Sequence, residues 1–213
     1  MNPAAWALLA VAGVLAAGDW VAVSPGIRSR DAEFVLKPLA MIALIAVGIA
    51  LKPEHDAERV AFLAGLVLSL AGDVFLMLPT DAFVAGLASF LAAHVAYVVG
   101  FVIAGVEAGR ILLGLAIVSV GAVTVGRGVL RAVREDHRSL AVAVTAYMTI
   151  ISVMVVLAIG SGEVLAAGGA LFFYVSDSLI AWDRFVEPRS WARPAIMATY
   201  HIAQAGLVLS LAR

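Results

Sequence analysis

The chain of 213 residues contains no cysteine and few charged side chains. The lack of cysteine excludes disulfide bonds and thiolate chemistry. Lysine, arginine, aspartate and glutamate together make up 14% of the residues, about half the share that is usual in soluble domains. The net charge of −1 provides no bulk attraction to nucleic acid, and no nucleic-acid partner is expected.

Hydrophobic residues, in contrast, make up 63% of the chain. They form runs of about 20 residues, which predict membrane-spanning α-helices and not the ~10-residue strands of a barrel. We predict an all-α, polytopic membrane protein, a bundle of eight transmembrane helices in one integral domain over residues 1–213. The predicted spans are Ala4–Val23, Glu33–Leu51, Arg59–Leu78, Ala82–Ala104, Arg110–Leu130, Ser139–Ile159, Gly162–Trp182 and Ala192–Ala212.

The ends of the spans indicate how the chain is placed in a membrane. The first span lacks the positive segment of a secretory signal, so we expect a retained helix. Four positive residues fall in or near one set of connections: Lys52, Arg59, Arg110 and Arg213. Nine fall on the opposite side: Arg28, Arg30, Arg127, Arg131, Arg134, Arg138, Arg184, Arg189 and Arg193. Cytoplasmic connections carry the excess of lysine and arginine, so the nine-residue side is predicted to be cytoplasmic. We therefore expect a multi-pass protein of the cell (inner) membrane with both termini on the outer side.

Five ionisable side chains lie deep within the predicted spans: Lys37, Asp73, His94, Asp177 and His201. A charge at mid-bilayer costs about 2.5–3.5 kcal/mol, so each is a functional candidate. With the helical rise of about 1.5 Å per residue, they fall between the midplane and the predicted cytoplasmic side. This shared depth predicts a polar cavity open toward the cytoplasm, with the two histidines near its floor. Asp19, close to the end of the first span, is expected to reach the interface.

Polar neighbours on the same helix faces add to this set. Four pairs have i,i+3 or i,i+4 spacing: Ser69 with Asp73, His94 with Tyr97, Tyr174 with Asp177, and Tyr200 with Gln204. Structural explanations stay open beside the functional ones. Lys37 is long enough to reach the headgroups or to pair with a buried aspartate, and the two histidines also fit as packing residues.

Five motifs in this order resemble the YhhN family, which includes the animal transmembrane protein 86 lysoplasmalogenases. They are KPL (37–39), SLAGD (69–73), FLAAHVAY (90–97), YVSD (174–177) and YHIAQ (200–204). The resemblance extends from the second span to the eighth. His201 departs from the family pattern, which has an aromatic residue at this position, so the resemblance implies roles for Tyr200 and Gln204 but none for His201.

The resemblance implies an enzyme that hydrolyses the vinyl ether bond of lysoplasmalogen, or of a related lysophospholipid or ether lipid, within a lipid membrane. The products are a fatty aldehyde and a glycerophospho-headgroup. It also implies a distant relation to membrane hydrolases of the alkaline ceramidase and adiponectin receptor type, which bind zinc through histidines. A zinc site needs three protein ligands, for which His94, His201 and one aspartate are the candidates. The chain has no His-x-x-x-His spacing, and we expect neither metal nor cofactor.

The two deep carboxylates suit the hydrolysis of a vinyl ether. Vinyl ethers hydrolyse by proton transfer to the carbon beta to oxygen, followed by addition of water to an oxocarbenium ion. Glycosidases meet a similar demand with two carboxyl groups in different environments, and Asp73 and Asp177 are the catalytic candidates here. The candidates for binding substrate, with Lys37 facing the phosphate, are Lys37, Ser69, His94, Tyr97, Tyr200 and Gln204.

A second class of function fits the same residues. Proton-coupled transporters also place acids, histidines and lysines inside the membrane, and a lipid-binding protein without hydrolase activity is a related alternative. The chain has no clear pair of Gly/Pro-interrupted spans, which is the sequence pattern of many transporters.

The uneven division of positive residues makes a prediction about topology. A reporter enzyme fused after Arg213 is expected to be active only if it works outside the cytoplasm. A matched fusion after Arg138, on the nine-residue side, should show the reverse. Cytoplasmic activity of the first fusion would contradict the predicted orientation.

Overall fold

The computed structural model describes all residues except 52, 54, 55 and 213, so Lys52 and Arg213 of the topology argument lie outside the described residues. The described chain is helical, with no strand among its elements, and eight of its helical segments are long and apolar enough to cross a membrane. The α-helices are α1 (Pro3–Ala22), α2 (Arg30–Ala50), α3 (Asp56–Met77), α4 (Phe83–Ala104), α5 (Ala108–Gly121), α6 (Arg127–Asp136), α7 (Ala141–Gly160), α8 (Val164–Phe185) and α9 (Ala192–Leu209). Short 3₁₀ turns, Arg138–Leu140 and Ser210–Ala212, precede α7 and follow α9.

The predicted all-α bundle of eight spans is confirmed. Seven spans agree with the prediction to within three residues at either end. The fifth differs, because a π-helical turn, Ala122–Gly126, joins α5 to α6 in one segment, Ala108–Asp136. This segment ends six residues later than predicted.

The extra length of the fifth span comes from packing and not from hydropathy. The sequence after Leu130 is rich in charge, so an apolar run ends there. Val129 and Val133 nevertheless share one face of α6 at i,i+4 spacing, and both are fully buried. They pack in a cluster with Phe83 and Phe185 at the ends of α4 and α8, which keeps this turn helical beyond the apolar run.

Helix ends follow local chemistry. The Asn2 side chain accepts a hydrogen bond from the Ala5 backbone N–H at 2.8 Å, and Ser29 caps α2 in the same way. Gly105 and Gly162, which follow α4 and α7, have φ angles of 88° and 78°. This left-handed backbone favours glycine and turns the chain back into the bundle.

The arrangement of the helices brings four of them around a common interior. Sequential helices pack in pairs, α1 with α2, α3 with α4 and α8 with α9. Helix α9 is the most buried span and also contacts α1, α2 and α3, whereas the fifth span is the least buried. Polar side chains on α2, α3, α8 and α9 can therefore meet around α9.

A close contact of backbones joins α8 to α9. A Cβ atom on Gly169 would lie 2.7 Å from the backbone nitrogen of Leu207 and 2.9 Å from the carbonyl oxygen of Ala203. On the other helix, a Cβ on Gly206 would lie 2.9 Å from the Gly169 Cα. Small residues at such a contact let two helices approach closely in lipid.

This contact predicts that alanine substitutions at two neighbouring glycines have different effects on the stability of the protein. Gly169→Ala should lower the stability of the protein in detergent by about 1–3 kcal/mol, because the methyl group meets backbone that cannot move aside. Gly168→Ala is the matched control, since a Cβ there meets nothing within 4 Å. Thermal unfolding of both variants checks this, and equal stability would contradict the close contact.

Candidate active site

A cavity of about 270 Å³ lies at the end of the bundle where the connections after spans one, three, five and seven are found. It extends from helix ends, among them Met77, Phe83 and Arg184, to polar residues inside the bundle. The side chains that give it its polar character include Glu33, Lys37, Asp73, Asp177, Arg193 and Tyr200. The cavity thus lies on the side that carries nine of the positive residues.

One of the polar contacts in the cavity wall is an ion pair between α2 and α3. Lys37 Nζ lies 2.8 Å from Asp73 Oδ1, and the two side chains are only 5% and 1% exposed. The Tyr200 hydroxyl of α9 donates a hydrogen bond of 2.6 Å to Asp73 Oδ2. Asp73 is therefore held by a cation and a hydroxyl from two other helices.

The surroundings of Lys37 and Ser69 differ from those expected from the sequence. Lys37, predicted to face a phosphate, has its ammonium group against Asp73 and above the Tyr200 ring, 5.3 Å from the ring centre. The Lys37 side chain is therefore buried inside the bundle. Ser69, predicted as the neighbour of Asp73, is fully buried, and its hydroxyl has no hydrogen-bond partner among the described residues.

The second aspartate has a different environment. Asp177 Oδ2 accepts a hydrogen bond of 2.5 Å from the Tyr147 hydroxyl of α7. His94 Nε2 of α4 lies 3.7 Å from the same oxygen, and the Asp177 side chain is 10% exposed. Within the described residues, no lysine or arginine forms an ion pair with Asp177.

Tyr147 was not among the sequence candidates. The predicted partner of Asp177 was Tyr174, three residues earlier on α8, but Tyr174 instead packs beside Gly121 at the end of α5. A tyrosine in the middle of an apolar span is the only signal that Tyr147 gives, and it does not identify a partner on another helix.

Three further candidates lie behind the cavity and not on its wall. Tyr97 donates a hydrogen bond of 2.7 Å to Gln204 Oε1, and both side chains are fully buried. His94 is also fully buried, between the rings of Tyr147 and Phe173. These residues brace the wall, while Lys37, Asp73, Asp177 and Tyr200 form it.

The two histidines do not form a metal site with an aspartate. His94 lies beside Asp177, whereas His201 Nδ1 accepts a hydrogen bond of 3.0 Å from Trp20 Nε1 of α1. In the part of the chain that the structure describes, no three histidine, aspartate or glutamate side chains are grouped closely enough to hold a metal ion. The zinc alternative therefore does not fit the residues present, and the histidines do not share the floor of the cavity.

The burial of Asp19 differs from the prediction. It was predicted to reach the interface, but it is fully buried where α1 packs on α2, and neither carboxylate oxygen has a hydrogen-bond partner in the described chain. Position near a helix end did not reveal this, because burial of α1 depends on its neighbours.

Glu33 and Arg193 were also not among the candidates. Glu33, in the first turn of α2, is buried and forms an ion pair with Arg193 of α9 on the cavity wall. The Arg193 side chain is 55% exposed, so it remains accessible from outside the bundle.

The Lys37–Asp73 pair makes a prediction about stability. Lys37→Met leaves Asp73 buried without its cation, and the protein should lose about 3–5 kcal/mol. The double variant Lys37→Met with Asp73→Asn removes both charges and should recover most of this loss. Thermal unfolding in detergent checks the pair, and additive losses in the double variant would show that the two residues are not coupled.

Known proteins place the chain in a family. The YhhN family model matches residues 32–211. The chain is 36% identical to the Homo sapiens lysoplasmalogenase TMEM86B over 148 residues, which is 70% of this chain and 62% of that protein, and 33% identical to the Sus scrofa protein over the same shares. It is 31% identical to Homo sapiens lysoplasmalogenase TMEM86A over 78% of this chain and 71% of that protein. No solved structure matches it. The chain belongs to the YhhN family.

Proposed function

We propose that this protein is a membrane-embedded hydrolase that cleaves the vinyl ether bond of lysoplasmalogen, or of a closely related lysolipid. The proposal is carried by one observation: two aspartates inside the bundle, Asp73 and Asp177, line one cavity but have different partners. The printed names of the relatives, lysoplasmalogenase TMEM86A and TMEM86B, support the substrate class.

The different partners suit the aspartates to different tasks. Asp73 is neutralised by Lys37, so it is suited to act as a carboxylate that accepts a proton. Among the described residues, Asp177 has a tyrosine hydroxyl and a histidine beside it but no lysine or arginine paired with it to hold it as a carboxylate. Asp177 is therefore the proton donor in this proposal.

These tasks give a balanced sequence of steps. Asp177 transfers its proton to the carbon beta to the ether oxygen, and the other alkenyl carbon becomes part of an oxocarbenium ion. Water adds to that carbon and gives a proton to Asp73. Asp177 then takes the hydroxyl proton of the hemiacetal while Asp73 protonates the ether oxygen, and the carbon–oxygen bond breaks. Aldehyde and alcohol leave, and both carboxyl groups return to their starting state.

The mouth of the cavity suits an anionic headgroup. Arg193 and Arg184 line it at the ends of α9 and α8, and their side chains are 55% and 37% exposed. Arginine binds phosphate through a planar fork of donors, although each of these arginines is also paired with an acid, Glu33 or Asp81. We assign the phosphate to this region and not to Lys37.

The proposal predicts the effect of removing either acid. Asp177→Asn keeps the shape of the side chain but has no proton to transfer, so aldehyde release from lysoplasmalogen should fall by at least about 10²-fold. Asp73→Asn should cause a similar loss. The double variant should be little worse than either single one, since the two groups act as a unit.

Folding and chemistry must be separated in this test. Asp177→Asn breaks no ion pair with lysine or arginine in the described chain, so its thermal stability should stay near that of the wild type, whereas Asp73→Asn leaves Lys37 unpaired and should be less stable. Asp136→Asn, an isosteric change at an exposed site at the end of α6, is the control. Near wild-type aldehyde release by a folded Asp177→Asn variant would contradict the proposal.

A further inference from the structure

A second, apolar pocket of about 60 Å³ adjoins the polar cavity. It lies among α4, α6, α7 and α8, with Val125 and Gly126 of the π-helical turn forming part of its wall. Of the described residues that line it, Asp177 is the only aspartate, glutamate, lysine, arginine or histidine. The remaining wall is mainly aliphatic and aromatic, with Met148 and Ile151 on α7.

The pocket and the cavity meet at Asp177. Both are lined by Leu76, Phe83, Phe90, Asp177 and Ile180, so one carboxyl group stands between a polar space and an apolar space. A ligand that fits both spaces has a polar end, an aliphatic chain and a junction between them at this carboxyl group. A lysolipid with a single chain has this form.

We propose that the apolar pocket holds the first methylene groups of the lipid chain, next to its linkage to glycerol. The inference rests on the proposed function and adds the orientation of the substrate. With the chain in the pocket and the glycerol in the cavity, the carbon beta to the ether oxygen is the alkenyl carbon on the pocket side, beside Asp177. The other alkenyl carbon and the ether oxygen lie on the cavity side, toward Asp73.

The π-helical turn shapes this pocket. In the turn, Val125 lies on the pocket wall, whereas Val123, two residues earlier, is 58% exposed on the outer surface. The fifth span is the least buried of the eight, so the outer side of this wall is open to the surroundings of the bundle. The rest of a long chain would continue from the pocket past this span into the surrounding lipid.

A photolabel that does not depend on catalysis tests the pocket. The probe is a saturated alkyl-ether lysophosphoethanolamine, which has no vinyl ether to hydrolyse, with a diazirine on a chain carbon near the glycerol. After illumination of the purified wild-type protein, mass spectrometry should find the label on pocket residues such as Met148 and Ile151. An unlabelled long-chain analogue should compete, and glycerophosphoethanolamine should not.

Two matched variants sharpen this test. Val125→Trp fills the pocket and should reduce pocket labelling by about tenfold or more, the scale of lost methylene contacts in an apolar site. Val123→Trp makes the same change on the outer surface and should leave labelling unchanged. For turnover, Val125→Trp should raise KM for vinyl ether lysolipids whose chain extends beyond the alkenyl carbons, and Val123→Trp should leave KM unchanged.

The outcomes separate the pocket from the proposed function. Label spread over lipid-facing residues of the wild type, without competition, would overturn the pocket, and this result needs no variant to fold. Pocket labelling without aldehyde release from lysoplasmalogen would overturn the proposed reaction and keep the lipid site. Aldehyde release with no pocket labelling would overturn the pocket alone.

Discussion

The structure depends on one constraint, that a charge inside an apolar bundle must be neutralised by a partner close to it. The ion pair between Lys37 and Asp73 meets this constraint across α2 and α3, and Tyr200 adds a hydrogen bond from α9. Breaking such a pair costs more than removing it altogether, because one charge is left behind. The three helices that surround the inner end of the cavity are thus fixed by the same residues that give it a carboxylate.

The difference between the two aspartates follows from the same constraint. One buried lysine neutralises Asp73, while the polar side chains that contact Asp177 within the described residues are Tyr147 and His94. Two acids in one cavity with unlike surroundings form the arrangement that acid–base enzymes use to separate a proton donor from an acceptor. The membrane supplies part of this arrangement, because no water competes for the buried groups from the lipid side.

Composition and periodicity were sufficient to predict most of the fold. Each span is close to the length that the bilayer requires. The connections are short, so helices that follow one another in the sequence are expected to be neighbours in the bundle. The end of the fifth span was missed because α6 follows a pattern of buried valines, Val129 and Val133, within a charged sequence. A mean hydropathy over this sequence does not detect two valines among charged residues. The valines indicate a buried helix face only when Phe83 and Phe185 are known to pack against them.

Residues of the candidate site could be predicted from the sequence where their type is costly to place in lipid. Asp73, Asp177 and Lys37 stand out in apolar runs for this reason, whereas Tyr147 does not, since tyrosine is common in apolar surroundings. The spacing of residues along one helix could not predict contacts between different helices. Pairing within a helix face predicted Ser69 and Tyr174 as neighbours of the acids, but the hydrogen bonds come from Tyr200 and Tyr147 on other helices.

In the proposed reaction the proton is added to the lipid chain and water to the alkenyl carbon next to the ether oxygen. The bond between that carbon and the glycerol oxygen of the hemiacetal is then the one that breaks. Hydrolysis of lysoplasmalogen by the purified protein in water enriched in heavy oxygen distinguishes this cleavage from attack on the glycerol side, with the mass of the glycerophospho product as the readout. We expect this product to carry no heavy oxygen, because it keeps its own ether oxygen. Heavy oxygen in the glycerol would show that water attacked the other side of the ether, and the proposed reaction would then be wrong.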